Sequence, residues 1–577
     1  MGDFNLILSA NEKRGGRPFQ PSQGLELSHF MDEAGVFDAG FFGSSFTWCN
    51  NRSGRARIWK RLDRVLINMA CLNASASLTV SHLVREPSDH APLLMSFSTR
   101  LDNKPCTFRF LNMWTSNASL LDVIKVAWQV EDSGSLFYRV WTKLRRVSRA
   151  IQLWNKETFG DVFLAVRRAE AAVAHAELQL QSDSSDENVV ELQRVRAELR
   201  RVLALEEQFW QQKARVKWLQ QGDKNSKFFH SVVKQRRYHA AIHKIRDSHG
   251  TWLTDDDSIG LEAVRYFEEL FSEDSSSDPR LIHVIPNLSS EIDNICLEEA
   301  PSLDEVKSVV FSMDGDSTAG PDGFTRKFFT FAWEVIGPDV YQSILSFFCR
   351  AELPRFIMAT SIVLIPKIPN PHSFSQYRPI SVCNFLNKVI SRVLVSRLTP
   401  ILPRIISPQQ SGFVPGRSMS NNYLLAQELI SDIGKKCRGR NVVLKLDMAK
   451  AYDRMSWVFV LKVLRQFGFG ERFIDMVWRL LTNVWFSVIV NGISHGFFKS
   501  FRGLRQGDPL SSALFIIGAK VLSRGLNLLS SQSKFVGYKV PQHCPAVSHL
   551  AFADDVIVFA NGSASSLRKI MRVLELY

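Results

Sequence analysis

The stretch HLAFADDVIVFA, residues 549–560, places two adjacent carboxylates between two apolar runs. This pattern predicts a β-hairpin with Asp554 and Asp555 at its tip. Adjacent carboxylates repel each other, and packing them among Phe and Val is costly unless a cation neutralises them. Oxygen ligands with no adjacent His or Cys favour Mg²⁺ or Mn²⁺. Taken alone, however, an Asp-Asp pair is more simply interpreted as an acidic turn.

A second apolar run also ends in a carboxylate. In NVVLKLDMAKAYD, residues 441–453, Asp447 follows a predicted strand and precedes a turn or short helix. Acids at the ends of two neighbouring strands can converge on one pair of metal ions. Two divalent ions about 3.5–4 Å apart are the usual arrangement for in-line attack at phosphorus. The two motifs together therefore predict a two-metal phosphoryl-transfer site.

Between these motifs lies RGLRQGDPLSSALF, residues 502–515. Gly503 and Gly507 permit a close approach of the backbone to a ligand. Asp508 is a good N-cap and Pro509 a good first helical residue. Spaced apolar residues then predict one buried stripe along a long helix, formed by Leu510, Leu514, Ile517 and Val521. The start of this helix could receive an incoming nucleotide.

The three segments LKLDMAKAYDR, GLRQGDPLSSALF and HLAFADD resemble reverse-transcriptase motifs A, B and C in order. Upstream, AGPDGF (319–324), IPKIPNPHSFSQYRPIS (365–381) and SGFVPGRSMSNN (411–422) are similar to finger motifs of LINE-type non-LTR retrotransposons. The resemblance is strongest between 302 and 560. It implies an RNA-directed DNA polymerase that uses an RNA template, a DNA primer, deoxynucleoside triphosphates and a genomic DNA target.

The resemblance implies a role for each matching residue. The metal-binding and catalytic triad, holding two Mg²⁺ (or Mn²⁺) ions, would be Asp447, Asp554 and Asp555. Tyr452 would be the steric gate against ribonucleotides, with a core tyrosine as the alternative. The remaining nucleotide-binding residues would be Lys367 and Arg378 at the triphosphate, with Gln506 and Gly507 in the pocket. Asp453 is expected to make a structural hydrogen bond instead.

The N-terminal motifs GDFN (2–5), Thr47-Trp48, RLDRVL (61–66) and Ser88-Asp-His90 resemble the second half of an endonuclease/exonuclease/phosphatase domain. That resemblance implies a phosphodiester-hydrolysing remnant formed by Asp3, Asn5, Asp63, Asp89 and His90. The resemblance would place a glutamate ligand upstream of GDFN and a thumb after Tyr577, both beyond the residues 1–577 of this sequence. We therefore expect no nicking and at most weak polymerisation from this chain alone.

The expected fold class is α+β. The predicted organisation is half of an endonuclease/exonuclease/phosphatase β-sandwich (1–100), a helical, basic linker (101–280), and the fingers and palm of a right-hand polymerase (281–577). Helical periodicity between 135 and 220, interrupted by SDSSDEN (182–188), predicts an antiparallel helical hairpin. The polar stretch 273–279 is interpreted as a linker.

A net charge of +14 and a pI near 9.4 favour a polyanionic partner. Ten Lys or Arg against one Asp lie between Lys213 and Arg246, among several aromatic residues. This composition is typical of nucleic-acid binding, although an amphipathic helix with a solvated face explains it as well. The residues expected to bind nucleic acid are Lys213, Arg215, Lys217, Lys224, Lys227, Lys234, Arg236 and Arg237.

The eight cysteines are scattered without zinc spacing, which favours reduced thiols inside the cell. No signal peptide or membrane-spanning run is expected, and the family resemblance implies the nucleus, with cytoplasmic protein before import. Two alternatives to the polymerase remain. One is a non-catalytic nucleic-acid-binding remnant or pseudogene product, and the other, which the N-terminal motifs disfavour, is a group II intron maturase.

Overall fold

The computed structural model describes residues 1–577 except 69, 72–76, 86–87, 99–106, 215–232, 234, 237, 273–280, 316, 432, 435–438 and 541–542. The chain forms two compact units. The first comprises residues 1–107, 161–259 and 365–378, and the second comprises 108–160, 260–364 and 379–577. Each unit is therefore assembled from three separate stretches of chain, and the protein is a mixed α and β structure.

The strands of the described chain are β1 (Gly2–Asp3), β2 (Lys13–Arg14), β3 (Val36–Asp38), β4 (Phe42–Gly43), β5 (Trp48–Cys49), β6 (Trp59–Lys60), β7 (Asp63–Arg64), β8 (Leu66–Asn68), β9 (Ser77–His82), β10 (Leu93–Ser98), β11 (Ile245–Arg246), β12 (Trp252–Leu253), β13 (Ala359–Pro366), β14 (Tyr377–Cys383), β15 (Asn441–Asp447), β16 (Trp485–Val490), β17 (Ile493–Lys499), β18 (His549–Phe552) and β19 (Asp555–Asn561).

The helices are α1 (Leu25–Glu33), α2 (Ser119–Trp128), α3 (Leu136–Thr158), α4 (Val162–Ser182), α5 (Asp186–Ala214), α6 (Asp256–Leu270), α7 (Glu291–Glu298), α8 (Leu303–Ser312), α9 (Arg326–Phe331), α10 (Trp333–Phe348), α11 (Arg355–Met358), α12 (Phe385–Leu398), α13 (Leu402–Ile405), α14 (Met419–Ser431), α15 (Ala451–Arg454), α16 (Trp457–Phe467), α17 (Glu471–Thr482), α18 (Pro509–Leu528) and α19 (Ala564–Leu576).

The first unit contains small sheets and a helical hairpin. Its sheets have the strand orders β1-β7, β2-β6-β5, β3-β8, β10-β9-β4 and β11-β12. The predicted helical hairpin is present as α4 and α5, and the polar residues 183–185 separate the two helices. Its interface buries small and branched side chains: Val166, Ala169, Ala176, Leu192, Val195 and Val202.

Two buried arginines lie in the segment RLDRVL of the first unit. Arg61 is 6% and Arg64 0% exposed, although charged side chains are rarely fully buried unless they are paired. Arg61 donates to Asp38 at 2.7 Å and to Glu12 at 3.2 Å, and Arg64 donates to the same two carboxylates at 2.9 and 2.8 Å. Burial alone would raise the pKa of Glu12, but its contacts with Arg64 and Arg61 outweigh this and lower it. The two arginines are therefore buried as a paired cluster, in which each guanidinium contacts both carboxylates.

The second unit is built around α18. This helix packs against α12, α16 and α19, and fifteen of its residues are buried. The sequence predicted a single buried stripe along this helix. The buried surface is wider than predicted, because α18 is covered on every side. By length and apolar composition the segment Pro509–Ser531 could cross a membrane, but 72% of its apolar window is buried inside the protein. Its composition is accordingly that of a core helix.

Two sheets complete the second unit. One has the order β14-β13-β16-β17, with β13 and β16 parallel, and the other has the order β15-β19-β18 and is antiparallel. One face of the antiparallel sheet packs on α14 through Leu550 and Phe559, which contact Ala426, Leu429 and Tyr538. This sheet carries the acidic residues singled out by the sequence.

Candidate active site

The predicted acidic hairpin is present in the second unit. Strands β18 and β19 pair antiparallel with Phe552 opposite Asp555, so Ala553 and Asp554 form a two-residue turn. Strand β15 lies on the other side of β19, and Asp447 is directly opposite Asp555. The hairpin therefore brings the ends of β15 and β19 together and presents Asp554 beside them.

The Asp447–Asp555 pair is open to solvent at the end of the sheet. Directly opposed like charges on neighbouring strands destabilise a sheet. Lys445, on β15, places its ammonium 3.9 Å from a carboxylate oxygen of Asp555. Within the described parts of the chain, no group of three or more His, Cys, Asp or Glu side chains is arranged to hold a metal ion by itself. The oxygen donors of these carboxylates suit Mg²⁺ or Mn²⁺ in their chemistry.

Tyr452 lies five residues after Asp447, in the short helix α15. Its ring stacks on Phe515 of α18, with centroids 4.4 Å apart and an interplanar angle of 14°. Burial raises the pKa of Tyr452 to about 12, and the neighbouring Ser512 opposes part of this rise. The residue is therefore a neutral, rigidly packed aromatic close to the acidic hairpin.

Hydrogen bonds tie the loop before α18 to α15 on one side and to β14 on the other. The Gln506 amide donates to Asp453 at 2.8 Å, and Asp453 is only 3% exposed. The backbone N–H of Ser381 donates to the Gln506 carbonyl at 2.7 Å. Asp453 thus makes the structural hydrogen bond expected for it, and it also fixes the side chain of Gln506.

Gly507 and Asp508 have the backbone roles that the sequence indicated. Gly507 has a φ of +104°, and a Cβ there would lie 3.1 Å from the Ser381 carbonyl oxygen. Asp508 caps α18 by accepting a hydrogen bond from the Leu510 N–H at 2.9 Å, and Pro509 is the first residue of the helix. The loop therefore requires a small residue at Gly507, where the chain approaches β14 closely.

Lys367 and Arg378 belong to the first unit, at the adjoining ends of β13 and β14. Both side chains are exposed. The Lys367 N–H donates to the Gln376 carbonyl at 2.8 Å, and its ammonium donates to the Ser375 carbonyl at 3.2 Å. Lys367 thus directly follows β13, and Arg378 is the second residue of β14.

The motif AGPDGF (319–324) has a structural role that the sequence did not reveal. Asp322 accepts hydrogen bonds from the N–H groups of Phe385 at 3.0 Å and Phe324 at 3.2 Å. Phe385 is the first residue of α12, so Asp322 caps that helix from a distant part of the chain. A Cβ at Gly320 would lie 2.4 Å from the Cys383 carbonyl oxygen. The motif is therefore a close-packed support for α12.

In the first unit, the residues of the proposed endonuclease remnant form one cluster. Asp3 on β1 is opposite Asp63 on β7, and the His90 ring donates to Asp63 at 2.9 Å. Burial opposes the charged ring, but the hydrogen bond to Asp63 and the charges of Asp63, Asp3 and Asp89 raise the pKa of His90. Trp48 donates to Asp89 at 3.0 Å, and the Asn5 N–H donates to Asp3 at 2.8 Å. The sequence singled out this set from scattered motifs.

Of the residues expected to bind nucleic acid, only Lys213 and Arg236 are among the described residues. The Lys213 ammonium lies 3.9 Å from the Phe209 ring centroid. Arg236 donates to the carbonyl of Ala214 at the end of α5. Both contacts are within the first unit and favour structural roles. Outside the described residues lie Arg215, Lys217, Lys224, Lys227, Lys234 and Arg237.

The end of the same basic segment forms a ladder of cations and aromatic rings. The Lys244 ammonium lies 4.3 Å from the Phe42 centroid and 4.9 Å from the Trp252 centroid, and the Arg246 guanidinium lies 4.7 Å from Trp252. A cleft of about 400 Å³ opens beside it, with Phe97 and several hydroxyl side chains in its walls. We refer to Phe42, Lys244, Arg246 and Trp252 as the cation ladder.

Comparison with known proteins places this site in a family. Residues 365–576 match the model of the reverse transcriptase (RNA-dependent DNA polymerase) family. The chain is 26% identical over 571 residues to the transposon TX1 149 kDa protein of Xenopus laevis, covering 97% of this chain and 43% of that protein. It is 31% identical over 244 residues to the Pol polyprotein of the retrotransposable element R2DM of Drosophila melanogaster, covering 42% of this chain and 22% of the polyprotein.

A third relative is the Pol polyprotein of the retrotransposable element R2 of Nasonia vitripennis, 26% identical over 295 residues, or 51% of this chain and 27% of the polyprotein. The chain thus spans less than half the length of these relatives. The family match covers the acidic hairpin, Tyr452 and the loop before α18. Residues 365–576 are therefore a reverse transcriptase domain of the LINE type, the kind that non-LTR retrotransposons encode.

Proposed function

We propose that the domain is an RNA-directed DNA polymerase that adds deoxynucleotides to a primer 3′-hydroxyl on an RNA template. The observation that carries the proposal is the register that sets Asp447 opposite Asp555, with Asp554 in the adjoining turn. In this proposal β15, β18 and β19 are the palm, and the motifs between 319 and 422 belong to the fingers. The genomic DNA target and the RNA template follow from the family resemblance.

The proposed metal ligands are Asp447, Asp554 and Asp555, whose hard oxygen donors suit two Mg²⁺ or Mn²⁺ ions. When bound, such ions lower the barrier to in-line attack and stabilise the leaving pyrophosphate. The side chains contribute charge and position: two opposed carboxylates attract cations, and the sheet register fixes their separation. Lys445 would lose its contact with Asp555 when a cation binds there, since the two positive charges compete.

The proposed nucleotide pocket uses Tyr452, Gln506 and Gly507. Tyr452 is held by Phe515, so a 2′-hydroxyl that met its ring could not displace it at low cost. The bond from Gln506 to Asp453 fixes the amide that faces the nucleotide. Lys367 and Arg378 are proposed to bind the triphosphate, because exposed cations suit its charge.

The test uses the full chain and two variants. Mn²⁺ binding, measured by electron paramagnetic resonance, and primer extension on an RNA template with Mg²⁺ are compared for the parent, Asp554→Asn and Asp304→Asn. Asp304 is an exposed acid at the start of α8 and serves as the matched control. We expect Asp554→Asn to weaken Mn²⁺ binding at least about tenfold and to abolish extension. Parent-like Mn²⁺ binding by Asp554→Asn would refute the two-metal assignment.

For the first unit we propose that the Asp3, Asp63, Asp89 and His90 cluster binds a phosphodiester. The Asp63 carboxylate keeps the His90 ring oriented and favours its charged form, which suits contact with a phosphate. Titration of the full chain with an abasic dinucleotide should perturb the His90 ring resonances. An unperturbed His90 at millimolar ligand would contradict this role.

Family membership also suggests where the protein acts. A retrotransposon reverse transcriptase is a nuclear or cytoplasmic protein, and we propose the nucleus because insertion requires access to chromosomal DNA. Fractionation of cells expressing the tagged full chain tests this. Exclusive recovery in the cytoplasm under conditions that support insertion would contradict it.

A further inference from the structure

We propose that Gln410 is a positioning residue of the polymerase: its side-chain amide fixes the turn that presents Asp554. The inference rests on the proposed metal-binding role of Asp554. Gln410 lies outside the six segments that resemble reverse-transcriptase motifs, one position before SGFVPGRSMSNN (411–422).

The turn before Asp554 adopts an unfavourable backbone conformation. Ala553 has a φ of +54°, in the left-handed region that residues with a Cβ seldom adopt. Ala553 is also 6% exposed, so its backbone groups cannot rely on bulk water. Such a conformation persists only when surrounding contacts hold it.

Gln410 supplies those contacts. The Ala553 N–H donates to Gln410 Oε1 at 2.8 Å, and Gln410 Nε2 donates to the Ala553 carbonyl at 3.1 Å. One side chain thus pairs both backbone groups of the residue immediately before Asp554, as a neighbouring strand would. Gln410 is 5% exposed, and buried hydrogen bonds of this kind are costly to leave unmade.

The backbone around Gln410 runs beside β18. The Ala551 N–H donates to the Gln409 carbonyl at 2.9 Å, and the Ser411 N–H donates to the Ala551 carbonyl at 3.0 Å. The Gly412 N–H donates to Gln410 Oε1 at 2.9 Å. A Cβ on Gly412 would lie 2.6 Å from the Ala553 nitrogen. The segment therefore packs directly on the turn.

Two further side chains lock this segment in place. Asn422 Nδ2 donates to the Gln409 carbonyl at 3.0 Å, to Ser411 Oγ at 3.0 Å and to the Ala551 carbonyl at 3.1 Å. Arg417 donates to the carbonyls of Gln410 at 2.8 Å and Ile406 at 2.9 Å. We call residues 409–412 with Arg417 and Asn422 the turn brace.

The turn brace gives Gln410 a specific task at the metal site. The backbone of Asp554 is constrained on both sides. Gln410 holds the preceding residue, Ala553, and the following residue, Asp555, pairs with Asp447. Without the amide of Gln410, Ala553 can relax toward a more favourable φ, and the Asp554 carboxylate moves with it. Residues that orient metal ligands typically change metal affinity about 10–100-fold when they are lost.

The experiment compares Gln410→Met with Gln409→Met in the full chain. The two substitutions are identical and adjacent. Gln409 belongs to the turn brace through its backbone carbonyl, which Gln409→Met retains. Among the described residues its side chain makes only one long contact, with Asn527 at 3.5 Å. We expect Gln410→Met to weaken Mn²⁺ binding at least about tenfold and Gln409→Met to leave it unchanged. In the metal-free protein, hydrogen exchange of the Ala553 amide should accelerate in Gln410→Met alone.

The isosteric Gln410→Glu variant covers the case in which Gln410→Met does not fold. It keeps the shape and one acceptor but loses the Nε2 donor, and it should also weaken Mn²⁺ binding. Parent-like Mn²⁺ affinity together with an unchanged Ala553 exchange rate in either variant would overturn the proposal. Failure of the proposed polymerase site is a different outcome, because Asp554→Asn would then leave Mn²⁺ binding unchanged as well.

Discussion

At the scale of single residues, Tyr452 is the side chain that we propose selects deoxynucleotides over ribonucleotides. Replacing it with Ala removes the ring beside the sugar, so ribonucleoside triphosphates should gain affinity relative to deoxynucleoside triphosphates by about tenfold, or about 1.4 kcal/mol. Fluorescence titration of both ligands measures the ratio without turnover. The control is Tyr423→Ala on α14, an exposed tyrosine. An unchanged ratio in Tyr452→Ala would leave Tyr452 as a core residue only.

His90 is a second residue whose chemistry depends on one contact. Asp63 raises its pKa above the ordinary value, so the charged ring stabilises the folded state. This contribution is complete below the ordinary pKa of His and is lost as the pH rises through the higher folded value. Asp63→Asn should lower the pKa of His90, as measured by its ring resonances during a pH titration. A pKa in Asp63→Asn equal to that of the parent would mean that the hydrogen bond has no electrostatic role.

At the scale of elements, α18 combines complete burial with a lysine. Lys520 is 6% exposed, and burial together with the charges of Arg524 and Arg417 lowers its pKa to about 7. The neighbouring His549 has its pKa lowered to about 4 by burial and by Lys520, so it stays neutral where Lys520 titrates. Among the described residues no carboxylate forms an ion pair with Lys520, so the stability of the protein should depend on pH.

The sign of that dependence follows from proton uptake. The unfolded chain holds the Lys520 proton up to the ordinary lysine pKa, whereas the folded protein releases it near pH 7, so stability rises with pH between these values. Lys520→Met should raise the free energy of unfolding at pH 6 by roughly 2 kcal/mol and flatten this rise. Urea unfolding at pH 6 and pH 9 measures both effects. Equal stabilisation at both pH values would show that packing, not titration, is responsible.

Some elements were predictable from the sequence and others were not. The acidic hairpin, the α4–α5 hairpin and the capped start of α18 depend on neighbouring residues, and the sequence predicted all three. The burial of α18 on every side, the buried pair Arg61 and Arg64, and the role of Gln410 depend on distant partners. Gln410, for example, contacts a residue 143 positions away. Local periodicity contains no information on such contacts.

At the scale of the whole molecule, the two compact units interleave along the chain, which no boundary drawn from composition anticipated. The predicted domain boundaries at residues 100 and 280 rest on resemblance to known domain families, and they stay a prediction. The structure shows a different grouping, with 108–160 in the second unit and 365–378 in the first. The compact units arise from packing between segments that are distant along the chain. Amino-acid composition is a local property, so its changes along the chain do not locate such units.

A net charge of +14 favours binding to nucleic acid, and we expect particular cations to contact the phosphates. Among the described residues, the candidates are the two cations of the cation ladder. Replacing Lys244 and Arg246 with Ala should reduce the slope of log K against log[salt] for single-stranded RNA by roughly 1.4, about 0.7 for each phosphate contact. Fluorescence anisotropy at several salt concentrations measures the slope. In the control, Arg194 and Arg201 on α5 are replaced with Ala, which removes the same amount of positive charge. Both of these arginines pair with glutamates in the parent protein. An equal change in the control would mean that charge alone is responsible.

The buried cluster of Glu12, Asp38, Arg61 and Arg64 has a consequence for how the protein can evolve. Each carboxylate is shared by both guanidinium groups, so loss of any one member leaves an uncompensated charge in the core, at a cost of about 3–5 kcal/mol. Selection for a stable fold should therefore eliminate single substitutions at these four positions. The fold should tolerate replacement of the whole set by apolar residues of similar volume. Among descendants of this lineage, the four positions should be inherited together or lost together, and a comparison of many copies would reveal the linkage as correlated substitution.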